Sequence, residues 1–267
     1  MQDTISDSLT RAVESGMAYI EDEGFWVRAG RGSDHASGMT AAAYRHTTSR
    51  ALEPQLHDHV VVANMATTNG GQVRAVDARG LMAHATTAGH VAAATLRREL
   101  TQHLGVEWTT VHKGIGEIDG VPLEAIKAMS SRREAVIDLA EEVGAFTTQG
   151  RQTAALMTRP DKAQGVDEQA LVSGWRNTLA EHGLTAEHAA TLTPGPRPLS
   201  TSLEAAREDQ LMNVMSGRQG VAQFDAVFDR RTVVEYVADR VGGHIANTEV
   251  TRLADRWLAE RAVPLEI

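Results

Sequence analysis

The run Tyr44-Arg45-His46-Thr47-Thr48-Ser49-Arg50-Ala51-Leu52-Glu53-Pro54-Gln55-Leu56-His57-Asp58-His59-Val60-Val61 decides how this chain is read. Val60, Val61 and Val62 are β-branched, and they predict a strand over 56–65. Asn69-Gly70-Gly71 is a turn signal, so residues 72–76 are expected to return as the hairpin partner. A second strand is expected over 39–47, just upstream. Side chains alternate across a strand, so His57 and His59, two apart, project to one face. His46 ends the preceding strand, and the loop through Pro54 lets the two strands pair. Three neutral imidazoles can then converge as a partial shell for a divalent cation, with open positions left for water or substrate. The competing reading is three surface or satisfied core histidines. Asp58 falls on the opposite face and is not counted as a ligand.

Outward from this run, the elements alternate in type. Ile5, Leu9, Val13, Met17 and Ile20 recur at helical spacing and predict a helix over 6–23, stopped near Gly24. Residues 25–28 read as a short strand, and 30–38 as a polar, glycine-rich loop. A long helix is expected over 87–104 with Val91, Leu96 and Leu100 inward, followed by short strands at 106–109 and 116–118. From Pro122 the pattern turns helical, with helices expected at 123–143, 149–158 and 167–182. Pro194, Pro196 and Pro198 cannot continue a helix and mark a linker. Beyond it, Asp229 can cap a helix bearing Val233, Val237 and Val241, ended by Gly242-Gly243, and Val250, Leu253, Ala254, Trp257 and Leu258 form a second apolar face. The fold class is α/β (α+β) with a mainly antiparallel sheet. Its parts are a core with a helical extension over 1–190, a linker over 191–201, and a small helical, winged-helix-like unit over 202–267.

Composition sets the limits. The 267 residues are 42% hydrophobic, enough to bury a real core, and contain no cysteine. That excludes disulfides and thiolate metal sites and fits a reducing compartment. The polar, acidic start lacks a signal-peptide pattern, and no apolar run approaches the ~18 residues of a membrane helix, so a cytoplasmic protein without a membrane segment is expected. The net charge of -9 argues against a general nucleic-acid coat. It is unevenly spread: 13 Lys/Arg face 15 Asp/Glu through Arg133, and 13 face 20 beyond it, so the first half can still present a local basic groove.

The histidine run resembles the three-histidine motif of TrwC/MobF conjugative relaxases. In the family's order it shows His46, then Thr48-Ser49-Arg50, Glu53-Pro54-Gln55-Leu56, His57, His59 and the β-branched strand through Asn64. The likeness continues through Gly105-Val106-Glu107-Trp108 and Gly116-Glu117-Ile118-Asp119-Gly120-Val121-Pro122, over about the first 190 residues. It implies the sheet of relaxases and rolling-circle initiators and a divalent metal (Mg²⁺ or Mn²⁺, with Zn²⁺ or Ni²⁺ as substitutes) on His46, His57 and His59. It also implies single-stranded DNA at a transfer origin, cut by a tyrosine to give a 5′-phosphotyrosine link and a free 3′-OH. In the family that tyrosine, and a strand with a Ser-Ala-Pro-Lys-Ser-type motif, lie upstream of the matched region. Neither is expected in this chain, so a separate chain supplying the tyrosine segment or a helicase is an expected partner. The terminal unit resembles the segment that joins relaxase to helicase in long family members. No Gly-x-x-x-x-Gly-Lys-Ser/Thr loop occurs.

Other residues have two readings each. Arg50 either holds a DNA phosphate or pairs with Glu53. Arg28 and Arg31 either contact DNA or are simply solvated, and Trp108 is either core or a base-stacking ring. Arg97-Arg98 and Arg132-Arg133 read as solvated helix faces, and His84, His90, His103 and His112 as structural. Of the three tyrosines, Tyr19 fits a buried helix face, Tyr44 shares the strand face of His46, and Tyr236 lies in the terminal unit; none is read as the nucleophile. The leading reading is a relaxase-derived protein of conjugative transfer that binds a divalent metal and single-stranded DNA for strand nicking. A non-catalytic DNA-binding remnant and a hydrolase using metal-activated water are its rivals.

Overall fold

The computed structural model describes residues 2–30, 32–68, 70–130, 167–223 and 225–265, with a few positions between 139 and 153. Helix α1 spans Gln2–Gly24 and ends where Gly24 was expected to end it. Its deepest face is lined by small residues and Tyr19, whose burial was expected. Ser8, Ala12, Gly16 and Tyr19 are buried, while Ile5, Leu9, Val13 and Met17 are half-buried. The reason is helix α2, Ala78–Leu104, which packs along α1 so closely that small residues must line the contact. A Cβ on Gly16 would lie 3.0 Å from the Ala88 carbonyl oxygen, and one on Gly80 would lie 2.3 Å from that of Gly24. Helix α2 also starts nine residues earlier than expected, because the Asp77 side chain caps it by accepting from the Arg79 backbone N–H. Gly105, at φ +74°, ends it in the left-handed conformation that glycine adopts freely.

Among the described residues the strands form three two-stranded antiparallel sheets: β1 (Trp26–Ala29) with β2 (Gly32–His35), β3 (Ala41–Thr48) with β4 (Pro54–Val62), and β5 (Ala66–Thr67) with β6 (Val73–Arg74). The glycine-rich stretch expected as a loop supplies β2. Strand β4 pairs with β3 as expected, and the antiparallel return expected over 72–76 is seen as β6, which pairs with β5 and not with β4. Backbone pairing across short polar segments leaves no apolar alternation to read. The strands expected at 106–109 and 116–118 reduce to one bridge, Trp108 to Ile118.

Further helices follow: α3 (Leu123–Ala128), α4 (Glu168–Glu181), α5 (Ala186–Thr191), α6 (Ala205–Met215), α7 (Arg230–Val241) and α8 (Asn247–Arg261). The helix expected at 149–158, the far part of 123–143, the Asn69 turn position, Arg31 and Arg132-Arg133 fall largely or wholly outside the described residues. Asp229 caps α7 by accepting from the Thr232 N–H, as its position suggested. Among the described residues no helix is long and apolar enough to cross a membrane.

The chain divides into two compact units. One holds Met1–Ala42, Val61–Asp119 and Thr193–Ile267; the other holds Ala43–Val60 and Gly120–Leu192. In the first, Tyr19, Val91 and Ala94 share a core with Met212, Met215, Val233, Val237, Ile245, Leu253 and Trp257. Each such side chain contributes about 1.5–3 kcal/mol by leaving water. A second cluster, Phe25, Val27, Ala36, Ala66 and Val76, lies under β1 and β5. In the other unit α3 packs on α4.

Arg97, expected on a solvated face, is instead 4% exposed. Its guanidinium donates to the Gly114 and Ala238 carbonyls at 2.8 and 3.1 Å. Arg98 likewise donates to the carbonyls of Ser200 and His244. Beside Arg97, buried His90 meets Asp239 at 2.8 Å through Nδ1, and the other Asp239 oxygen accepts from the Gly114 N–H at 3.1 Å. Burial is the largest influence on this imidazole and pushes its pKa down. The hydrogen bond and charge of Asp239, with the charge of Glu235, outweigh it, so the net shift is upward from 6.5. The folded state therefore holds the proton more tightly than the unfolded chain. The pair stabilises fully below about pH 6.5 and less as the pH rises through the folded value. Asp239→Asn is expected to lower the melting temperature more at about pH 6 than at about pH 9. Calorimetry at both values checks this, and equal losses would contradict a protonated pair.

Candidate metal centre

The three histidines meet on one face of the β3–β4 ribbon. His46 comes from β3, and His57 and His59 come from alternate positions of β4. Their ring centroids lie 5.4 Å (His46–His57), 4.8 Å (His46–His59) and 5.0 Å (His57–His59) apart. One ring nitrogen from each falls within 4.8 Å of the others; His46 and His59 are exposed and His57 half-buried. No carboxylate joins this cluster, and no other such cluster occurs among the described residues.

The opposite face explains why the ribbon stays in register. Arg45 and Asp58, each next to a histidine in sequence, point away from the cluster and join in a two-point pair, Nε to Oδ1 at 2.6 Å and Nη2 to Oδ2 at 2.7 Å. The Asp58 side chain is only 4% exposed. Its hydrogen bonds from Arg45 hold the carboxyl below the usual carboxylate range. Asp58 is thus a strut across the strands, on the face that its alternation predicted.

The loop between the strands is tightly tied. The Ser49 N–H donates to the Glu53 carbonyl at 2.9 Å, and Ser49 Oγ accepts from the N–H groups of Ala51 and Glu53. Leu52 sits at φ +60°, an uncommon conformation for a branched side chain. The indole N–H of Trp175, on α4, donates to the Leu52 carbonyl at 2.9 Å. Trp175 was not singled out in the sequence, where a lone Trp in an amphipathic helix carries no signal beyond packing. Arg50 is exposed in this loop and pairs with no carboxylate among the described residues, so the expected alternative of a pair with Glu53 is not seen.

The donor set fits a divalent cation. Two nitrogens bound about 2.1 Å from one ion lie at most about 4.2 Å apart, so small ring rotations close the cluster. His57 is prepared for this. Its Nδ1 lies 3.0 Å from the Gln55 carbonyl, which can only accept, so Nδ1 carries the proton and Nε2 keeps its lone pair.

The remaining sequence candidates lie elsewhere. Tyr19 is buried against the His84 ring, and burial pushes its phenol up to about 12. Tyr236 donates to the Gln219 carbonyl. Tyr44 is exposed on β3, two residues before His46. Trp108 donates to Thr101 Oγ1 at 2.9 Å and is held in the structure by that bond. His84 packs against Tyr19 and Trp26, and His103 meets Glu99.

A mixed α/β fold with three imidazoles gathered on an antiparallel ribbon defines a histidine metal-centre protein. The TrwC relaxase family model matches residues 1–182, and the chain belongs to that family. The multifunctional conjugation protein TraI of Escherichia coli (strain K12) is 37% identical over 177 aligned positions, a match that covers 59% of this chain and 10% of TraI. The chain thus spans about a tenth of that relative's length. Among solved structures, the conjugative relaxase TrwC in complex with OriT DNA is similar in its metal-free form. That match has TM-score 0.61 and 26% identity, over 66% of this chain and 64% of that one. The metal-bound form matches at TM-score 0.62 and 26% identity, over 68% and 65%.

Removing one partner of the strut tests its role. Asp58→Asn keeps the size but removes the carboxylate charge from the two-point pair. We expect a loss of about 1–3 kcal/mol in urea unfolding with an unchanged m-value. A change below about 0.5 kcal/mol would show that the pair is not what holds the ribbon.

Proposed function

We propose that this chain is the metal-holding and DNA-engaging part of a conjugative relaxase, with His46, His57 and His59 as ligands of one divalent cation. The convergence of the three imidazoles on one ribbon face carries the reading. Family membership supports it, as do TraI, described as a conjugation protein, and TrwC, described with OriT DNA in metal-free and metal-bound forms. Bound there, a divalent cation supplies charge neutralisation at a phosphate oxygen and orients it for in-line displacement. The imidazoles bind as neutral rings, and the Gln55 carbonyl keeps His57 in the ligating tautomer. Arg50, exposed in the tied loop, offers its planar fork to a DNA phosphate. Trp175 and Ser49 hold that loop so that Arg50 and the histidines keep a fixed spacing.

The substrate is single-stranded DNA at a transfer origin, and the reaction is site-specific strand nicking by transesterification, in which a tyrosine hydroxyl from a separate segment forms the new phosphate ester and the 3′-oxygen leaves; without that segment this chain holds the metal and the strand and does not complete the nick. We assign this work to residues 1–190, with 191–201 connecting to the C-terminal helices, and we place it in the cytoplasm, where a cysteine-free chain loses nothing to reducing conditions. Mg²⁺ or Mn²⁺ suits the phosphate chemistry, and Zn²⁺ or Ni²⁺ suits the imidazoles.

Calorimetric titration with Mn²⁺ or Zn²⁺ is the test. His57→Ala is expected to weaken binding of one ion per chain about 100-fold or more. Mn²⁺ should tighten binding of a transfer-origin oligonucleotide by the unaltered chain and not by His57→Ala. Arg50→Gln should loosen the DNA alone. Equal ion affinity in His46→Ala, His57→Ala and His59→Ala would sink the assignment.

A further inference from the structure

The face of the β1–β2 hairpin carries a second constellation that the metal centre does not use. The register pairs Trp26 with His35 and Arg28 with Ser33. Residues directly opposite share a face, as do residues two apart, so all four project to one side. Val27, between them, turns the other way and is fully buried. Against this side lies the start of α2, and a cavity of about 610 Å³ opens between them, lined by Trp26, Ser33, His35, Asp77 and Arg79. That volume lies in the range of small-molecule sites, about 300–1,000 Å³. Its wall is rigid: a Cβ on Gly80 would lie 2.3 Å from the Gly24 carbonyl oxygen and 3.3 Å from the Trp26 ring.

The polar groups are arranged in a definite way. Asp77 is 2% exposed; it accepts from Ser33 Oγ at 2.6 Å and from Arg79 Nη2 at 2.5 Å and Nε at 3.0 Å. Those bonds, Arg79's foremost, hold its carboxyl far below the usual carboxylate range. The carboxylate is thereby engaged, while the Arg79 side chain stays 80% exposed with Nη1 unbonded among the described residues. The exposed Arg28 side chain likewise has no partner among the described residues. His35 Nε2 lies 2.8 Å from the Asp22 carbonyl and so donates, which leaves Nδ1 as an acceptor. Trp26 is 36% exposed.

We infer that this cavity binds a nucleoside phosphate unit of single-stranded nucleic acid, with the base on Trp26 and the phosphate on Arg28 and Arg79. A partly exposed aromatic ring beside the Arg79 guanidinium and a hydrogen-bond acceptor, with Arg28 on the same strand face opposite Ser33, matches the three parts of a nucleotide. A duplex keeps its bases stacked on one another, so only an unpaired base can reach Trp26. The inference rests on the proposed function for the choice of nucleic acid; its residues and its test are separate from the three histidines.

The experiment uses the full chain, a labelled twelve-nucleotide oligo-dT, and EDTA, which removes any contribution from a metal ion. Fluorescence anisotropy should show binding that Trp26→Ala weakens about tenfold or more, from the about 1–3 kcal/mol of one stacked base. Arg28→Gln should weaken it several-fold and lower the slope of log affinity against log salt by about 0.7, one phosphate contact on a single strand. A duplex should show no dependence on Trp26. Melting curves check folding, and the exposed Arg28 position keeps the test valid if Trp26→Ala does not fold. Unchanged affinity in Arg28→Gln and in any folded Trp26→Ala overturns the inference, and so does no binding in EDTA, while the ion titration still judges the metal centre. Competition by free dTMP as effective as that by the oligonucleotide, per nucleotide, would overturn the assignment to a strand.

Discussion

Antiparallel pairing of β3 with β4 is the constraint on which the metal centre depends. A one-residue slip would send His57 and His59 to the other face and bring Asp58 to His46. The Arg45–Asp58 pair opposes that slip directly, because its two short bonds form in one register only. Each member neighbours a clustered histidine, so the charge pair and the imidazole cluster are two faces of one alignment. The alternation Arg45-His46 on one strand and His57-Asp58-His59 on the other therefore encodes both the imidazole cluster and the lock that spaces it.

A different economy governs the unit built on α1 and α2. There the closest approach is backbone to backbone, at Gly16 with Ala88 and at Gly24 with Gly80. Small residues give up side-chain burial to gain that proximity, and the apolar burial comes from α6, α7 and α8 instead. The same contact seats Gly80 against Trp26 and fixes the start of α2, where Asp77 is engaged as both helix cap and anchor for Ser33 and Arg79.

The sequence was most legible where local pattern and tertiary role coincide. The histidine spacing, the β-branched run of β4, the cap at Asp229 and the stop at Gly24 each act through neighbours within a few residues, so the rule and the outcome agree. It was least legible where a distant partner decides. The glycine-rich stretch became β2 because β1 lay beside it, and Arg97 became buried because Gly114 and Ala238 offered carbonyls far along the chain. The inward face of α1 obeys the same rule: Ile5 and Leu9 carry the hydrophobicity, but α2 selects Ala12 and Gly16 for their size. Arg50 could be read two ways, because nothing local decides whether an exposed loop guanidinium meets a neighbouring carboxylate; here the Ser49 hydroxyl donates to the Glu53 carboxylate.

A common device links the irregular parts of the molecule. Leu52, at φ +60°, is held by Trp175 from a regular helix. Lys113 and Gly114, at φ +51° and +79°, are held by Arg97 from α2 and Asp239 from α7. Left-handed backbone costs energy for residues other than glycine and leaves N–H and C=O groups without regular partners. A donor or acceptor mounted on a helix meets both demands, because its position is set by packing elsewhere. A loop so tied can stand in solvent, as the loop bearing Arg50 does, without a hydrophobic core of its own. That explains how the β3–β4 ribbon can leave most of its side chains exposed and still present three imidazoles at one fixed spacing.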